Sequence, residues 1–236
     1  MKISKKEDVY KDLKQRVLTL DLPPGYPLDE ALLSEQYKLS RTPLREVLQR
    51  IAGEGYINLE AHRSATVSSM DLVTMRSFFQ SAPMIYAAIA RLATEQATES
   101  QIATLKKIQA GFRKSVQKHR ASDMSMLNHQ FHEHLGVMAA TPYLAPSLGR
   151  LLVDHTRMSH RFYRVRQASS RKRIDEACNQ HDEMIQAIED GAPGKTVELT
   201  IAHWELSRNE MDKYVMPGSL PMDGVKDDDK RAEHGI

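Results

Sequence analysis

The chain has 236 residues, 41% hydrophobic and 27% charged, a balance that belongs to a folded protein and excludes whole-chain disorder. Lysine and arginine number 33 against 31 acidic residues, a formal net charge of +2, so no global positive field announces a nucleic-acid partner and any such role has to be local. Apolar runs are short and broken by charges, and Met1 to Lys6 leads into a mixed-charge segment rather than a hydrophobic signal core; the expectation is a cytoplasmic protein with no membrane partner.

In chain order, Val9, Leu13, Val17 and Leu20 recur at helical spacing and predict an amphipathic helix over about 6–20, which Pro23-Pro24 cannot extend. A short second helix follows, with Asp29 as cap and Leu32, Leu33 and Tyr37 as its inner face. Lys38-Leu39-Ser40 makes a tight connection to a third helix, marked by Thr42 as cap and Pro43 at the first helical position, and ended by Gly53 and Gly55. Tyr56–Glu60 and Ala65–Ser68 then pair as a small hairpin. Helix, helix, tight turn, helix and hairpin is the order of a winged helix-turn-helix. The domain boundary falls at Ser68–Asp71, which assigns 1–70 to this module.

From Asp71 onward the chain reads as a succession of helices. Pro83 lies inside what would otherwise be one long helix from Asp71 to about Glu95 and is expected to kink or split it. Thr98-Glu99-Ser100-Gln101 is a capping box before the stripe Ile102, Leu105, Ile108, Phe112, Val116. Ser122 or Asp123 is expected to cap a helix reaching Ala140, and Thr141-Pro142 to open another carrying Leu148, Leu151 and Leu152. Ile174, Ala177, Cys178, His181, Ile185 and Ile188 form one stripe closed by Gly191. Cys178 is the single cysteine, so it makes no internal disulfide or thiolate cluster and reads as a buried small apolar residue. Val197, Ile201, Trp204 and Met211 form the last stripe. The fold class is mainly α: a winged helix-turn-helix over 1–70, an antiparallel all-α bundle over 71–216, and a Gly-, Pro- and Asp-rich tail over 217–236 expected to be disordered.

Two groups of residues point to chemistry. Arg41, Thr42 and Arg45 stand at the start of a helix delivered by a tight turn, where a recognition helix presents base-reading side chains to the major groove. Arginine there can donate two hydrogen bonds to guanine. Positive charge at a helix N-terminus is unfavourable by itself and fits a negatively charged partner. Arg50 and Glu46 read as a solvated face. The second group is Asn128 and His132, four apart on one helix, with His181 and His203 in the apolar faces of two others. Each histidine alone reads as a hydrogen-bonded core residue, whereas their joint placement favours a metal site. His129 and His134 flank that face and read as surface residues.

Residues 10–67 resemble the winged helix-turn-helix of the GntR family of bacterial transcription regulators, through Tyr10, Pro24-Gly25, the string Ser40-Arg41-Thr42-Pro43-Leu44-Arg45-Glu46-Val47-Leu48, and Glu54-Gly55-Tyr56 leading to Val67. The resemblance implies a double-stranded DNA operator as partner, contacted by Arg41, Thr42 and Arg45, with Arg63 at the wing. Two positions depart from it. His62-Arg63-Ser64-Ala65 lacks the common wing-tip glycine, and Ala31 stands where some members have an arginine.

Residues from about 72 to 214 are similar to the FCD-type ligand-sensing domain of the FadR-like branch, through Arg76, Asn128-His129-Gln130-Phe131-His132, His181 before Ile185-Gln186-Ala187-Ile188, and His203. This implies a divalent metal (zinc, nickel or manganese) at Asn128, His132, His181 and His203, a small carboxylate effector bound to it, and a homodimer. Asn128 occupies the position of the family's aspartate, so the ligand set is neutral. Arg76 matches the arginine that pairs with the effector, its alternative being a surface residue, and Arg157 and His155 are further candidates for reaching the cavity. The implied function is a sequence-specific regulator, a repressor, that is not an enzyme. The rival reading is a metal-dependent enzyme on a histidine-bearing bundle, against which the chain has no Glu-x-x-His pair, no His-Glu-x-x-His and no placed general base. A nucleoid-type architectural protein is the third reading. Residues 1–70 hold eleven basic and ten acidic residues, a net of +1, so DNA binding is expected to rest on a few placed arginines and on dimerisation.

Overall fold

The computed structural model describes residues 5–60, 64–164 and 168–215. Arg63 and the 217–236 tail fall outside them. Helix α1 (Lys5–Leu18) buries Val9, Leu13, Val17 and Leu18, and the chain leaves it two residues early because Leu20 is left-handed, with φ 62°. Strand β1 (Pro27–Leu28) precedes α2 (Glu30–Tyr37), where the Asp29 carboxylate accepts from the amides of Ala31 and Leu32. Leu33 faces inward, but Leu32 is 64% exposed, contrary to expectation: it lies about 100° further round a two-turn helix that meets the core along one line.

Helix α3 (Arg41–Gly53) starts two residues earlier than its sequence signals suggest. Ser40, extended, is the N-cap and makes no side-chain cap bond, so Arg41 is the first helical residue and Pro43 the third. Proline is tolerated at both places, since the first-turn amides have no intrahelical acceptor. Leu44, Val47, Leu48 and Ile51 bury the opposite face. Strands β2 (Ile57–Asn58) and β3 (Ala65–Val67) form the expected antiparallel hairpin, with Ile57 opposite Val67. Strand β1 pairs with the other side of β3, giving the order β1-β3-β2. Two residues, one of them proline, are too few to show alternation, so this strand has no signature in the sequence.

Six further helices follow among the described residues: α4 (Leu72–Gln96), α5 (Glu99–Gln117), α6 (Ala121–Met138), α7 (Ala145–Arg164), α8 (Ala168–Glu189) and α9 (Pro193–Val215). Asp71 caps α4 through the amide of Thr74, and Thr98 with Gln101 makes the complete capping box at α5. Helix α4 is not split at Pro83: Ala82, Tyr86 and Ile89 are buried around it, and that packing offsets the lost hydrogen bond. Neither Ser122 nor Asp123 caps α6; Arg120 is the N-cap and Asp123 pairs with its guanidinium at 2.7 Å. Helix α7 begins at Ala145, not at Thr141-Pro142, because Ala140 turns left-handed (φ 45°) and the next four residues are needed to reverse the chain. On α9 the buried line is Thr196, Leu199, Thr200, His203 and Trp204; Ile201, expected inside, is 42% exposed.

Helix α4 packs against α6 and α9, α5 against α6 and α8, α6 against α7, and α8 against α9. The core of this bundle runs through Phe78, Tyr86, Ile89, Leu105, Phe131, Leu135, Leu152, Met184, Ile188 and Trp204. Helix α7 also touches α1, and its Val153 is fully buried in the N-terminal core beside residues such as Val9 and Leu13. The two halves therefore share one packed surface. No helix among the described residues is long and apolar enough to cross a membrane.

Candidate metal centre and recognition helix

The bundle brings His132 of α6, His181 of α8 and His203 of α9 together, with one ring nitrogen from each lying within 4.8 Å of the others. All three are buried, as is Asn128 one turn before His132. Helical spacing puts Asn128 and His132 on one face, and the antiparallel neighbours carry the other two rings across from it. Phe131 stacks flat on His181, 3.9 Å between centroids and 7° between planes, and Tyr86 meets His132 edge-on at 5.3 Å. These contacts fix the ring planes.

Hydrogen bonds then fix the tautomers. Gln109 on α5 donates its amide N–H to the Cys178 carbonyl at 2.8 Å, which leaves its Oε1 to accept from His181 Nδ1 at 3.1 Å. His203 Nδ1 likewise donates to Gln180 Oε1 at 3.0 Å. With Nδ1 protonated in both rings, Nε2 carries a lone pair, the state a metal ligand requires. Burial pushes all three imidazole pKa values down, His203 to about 4 and His132 and His181 well below the ordinary range, so the rings are neutral near pH 7.

Several polar atoms here have no partner. Asn128 Oδ1, both nitrogens of His132 and His181 Nε2 are buried without a hydrogen bond. A buried polar atom left in that state costs about 1–3 kcal/mol. Asn128 Oδ1, one nitrogen of His132 and His181 Nε2 can be satisfied together by a single divalent cation with nitrogen-rich ligation, while the second His132 nitrogen points away from it. The residues fit the metal that the resemblance implies. His155 joins the same cluster: its ring centroid is 5.3 Å from His132, Nδ1 shares a 2.7 Å hydrogen bond with the Tyr86 hydroxyl, and burial lowers its pKa to about 3.

Other expected site residues lie elsewhere. Arg76 is exposed on α4. Arg157, expected to reach the effector, is fully buried at the junction of the two halves, where Nη1 donates to the Ser68 carbonyl at 2.7 Å and Nη2 pairs with Asp154. His129 is buried rather than on the surface, hydrogen-bonded through Nδ1 to the Thr156 hydroxyl at 2.8 Å, because α7 crosses that side of α6. His134 is half-buried and donates through Nε2 to the Gln101 carbonyl at 2.9 Å. Sequence reading missed Tyr86, Gln109 and Gln180. Gln109 had a signal: it occupies the i, i+4, i+7 line between Leu105 and Phe112, where a polar residue needs a buried partner.

In the N-terminal half, Arg41, Thr42 and Arg45 are exposed at the start of α3, off the line of its buried residues. Arg50 belongs to the scaffold: it pairs with Glu7 at 3.0 Å and lies 3.6 Å over the Tyr10 ring. Lys14 is held between Glu54, at 2.8 Å, and the Tyr10 hydroxyl, at 2.9 Å. Lys6, Lys14, Arg16, Arg45 and Arg50 are thus internally paired, whereas Arg41 at the α3 N-terminus is exposed and has no ion-pair partner among the described residues.

Residues 5–67 match the family model of bacterial regulatory proteins of the gntR family, and residues 83–206 match the FCD domain. The transcriptional repressor RspR of Escherichia coli is 29% identical over 135 residues, covering 56% of this chain and 58% of that protein. The Nta operon transcriptional regulator of Aminobacter aminovorans is 30% identical over 112 residues, 48% of this chain and 53% of its own. The chain thus spans a little over half the length of these relatives. Among solved structures, E. coli McbR/YncC superposes with a TM-score of 0.72 at 20% identity, over 89% of this chain and 96% of that one, and a GntR-type protein from Rhodococcus sp. RHA1 with a TM-score of 0.64 at 13% identity, over 92% and 100%. Both share the fold. By its winged helix-turn-helix and the FCD bundle behind it, the chain belongs to the gntR family of bacterial regulatory proteins.

Proposed function

We propose that this protein is a homodimeric, sequence-specific DNA-binding transcription regulator, acting as a repressor, whose operator affinity is set by a small carboxylate held on a divalent metal. Arg41, Thr42 and Arg45 would enter the major groove. Asn128, His132, His181 and His203 would hold the metal, which supplies a positive Lewis-acid centre for the carboxylate. Because this ligand set carries no charge of its own, an anionic effector would complete both the coordination and the local charge balance, so metal and effector would stabilise each other. Neither Arg76 nor Arg157 is brought to the imidazoles. In this reading the metal provides the positive charge.

The observation that carries the proposal is the placement of five consecutive residues of α7. His155 faces the histidine cluster and Thr156 bonds His129 beside Asn128, while Val153 is buried in the N-terminal core and Asp154 and Arg157 tie α7 to the Ser68 carbonyl just after β3. Arg150, one turn earlier, lies so close to Gly55 that a Cβ there would sit 2.2 Å from its Cδ. A shift of α7 on metal and effector binding would be passed through these contacts to the module carrying α3, and would control DNA binding if it favoured one arrangement over another.

The test is a mobility-shift titration with DNA upstream of the protein's own gene, at fixed salt and with competitor DNA, in the presence of zinc and a panel of small carboxylates. Specific binding relieved by one carboxylate, and only with metal present, supports the proposal. Binding of equal strength to all DNA, or indifference to every metal and carboxylate combination, would overturn it.

A further inference from the structure

Glu30 is the first residue of α2, and its Oε2 accepts a 2.8 Å hydrogen bond from Nε of Arg45, the fifth residue of α3. The neighbouring Asp29 is committed to the amides of Ala31 and Leu32 and cannot serve Arg45. Of the other charges on α3, Glu46 pairs with Lys6 and Arg50 with Glu7, while Arg41 is exposed. The Arg45 side chain is 64% exposed, and its two terminal nitrogens have no partner among the described residues. An ion pair this open contributes little to stability. Its geometry matters more: anchoring Nε leaves the Nη1/Nη2 edge free, and that planar edge is the pair of donors that meets guanine O6 and N7.

We propose that Glu30 is a positioning residue for base reading. Resting on the assignment of α3 as the recognition helix, it holds the Arg45 fork toward the base edge and, by its own negative charge, opposes collapse of Arg45 onto the phosphate backbone. Selectivity rises while affinity for random DNA falls. This fits an N-terminal module with almost no net charge, in which contacts to phosphate cannot dominate binding.

In vitro selection of the full-length protein on a random-sequence duplex library at fixed salt, combined with affinities for an unselected duplex, separates the contributions. Arg45→Ala should lose a guanine preference at one position of each half-site. Glu30→Ala should weaken the same preference by about tenfold and raise affinity for the unselected duplex a few-fold, and it should have no further effect on the preference in an Arg45→Ala background. Glu30→Gln still accepts from Nε but is neutral, so it should keep the guanine preference while raising affinity for the unselected duplex. If Arg45→Ala changes the motif but Glu30→Ala leaves it intact, the positioning role is wrong and the recognition helix stands. If Arg45→Ala leaves the motif intact, the assignment of α3 itself is wrong, and the role of Glu30 with it.

Discussion

Gln109 and His181 are joined across α5 and α8 by a 3.1 Å hydrogen bond whose direction is set by a third group, the Cys178 carbonyl. Turning the Gln109 amide over would oppose two acceptors at Cys178, so Oε1 faces His181, Nδ1 must donate to it, and Nε2 is left as the lone-pair nitrogen. Gln109→Leu should lower metal affinity by about 10- to 100-fold, measured by competition against a chromophoric chelator. Unchanged affinity would show that His181 is oriented by Phe131 stacking alone.

Asn128 offers the metal a neutral oxygen. Asn128→Asp should convert a site that loses metal on extensive dialysis without carboxylate into one that keeps it stoichiometrically, read by elemental analysis. Stoichiometric metal in the dialysed wild-type protein would contradict the proposed interdependence of metal and effector.

Arg157 is a fully buried cation whose partner is Asp154. Removing one member of such a pair strands the other, and Arg157→Leu should destabilise the protein by about 3 kcal/mol, checked by urea unfolding. Arg150 still reaches Asp154 at 3.3 Å, which keeps the loss at the lower end. Replacing both members, Arg157→Met with Asp154→Leu, should cost far less stability while weakening the response of DNA affinity to metal. A double variant that responds as wild type does would remove α7 from the coupling route.

The buried imidazoles make stability depend on pH in a definite direction. His132, His155, His181 and His203 have folded-state pKa values lowered by burial, to about 3 for His155 and about 4 for His203, against about 6.5 in the unfolded chain. Below about pH 6.5 the unfolded state therefore binds more protons, and stability falls as pH drops from there toward 4. The Tm of chelator-treated protein should decline over that window and change little between pH 7 and 8. A flat profile would mean that the rings are not buried in solution.

Much of this molecule was legible in its sequence because local chemistry and global packing agree. Asp29, Asp71, the Thr98–Gln101 box and Gly191 each mark a helix end where the structure has one. Asn128 and His132 stood out by their i, i+4 spacing on one helix and His181 and His203 as polar residues in apolar stripes, and the three imidazoles do converge. What stayed hidden depends on contacts between elements. Strand β1 exists only because β3 lies beside it. His129 looked exposed by its position on α6, and only the approach of α7 buries it. The destination of Arg157 depends on how the two halves dock, which no periodicity encodes. Pro83 shows tertiary packing overriding a local breaker.

Dependence of DNA binding on the metal and its carboxylate can be read by fluorescence anisotropy, as the DNA affinity of the wild-type protein and of His181→Ala, each with zinc and with an effective carboxylate. His181→Ala should still bind the upstream DNA through α3 but no longer change affinity when carboxylate is added, and chelation should abolish the wild-type response in the same way. A carboxylate response that survives both the substitution and metal removal would contradict that dependence.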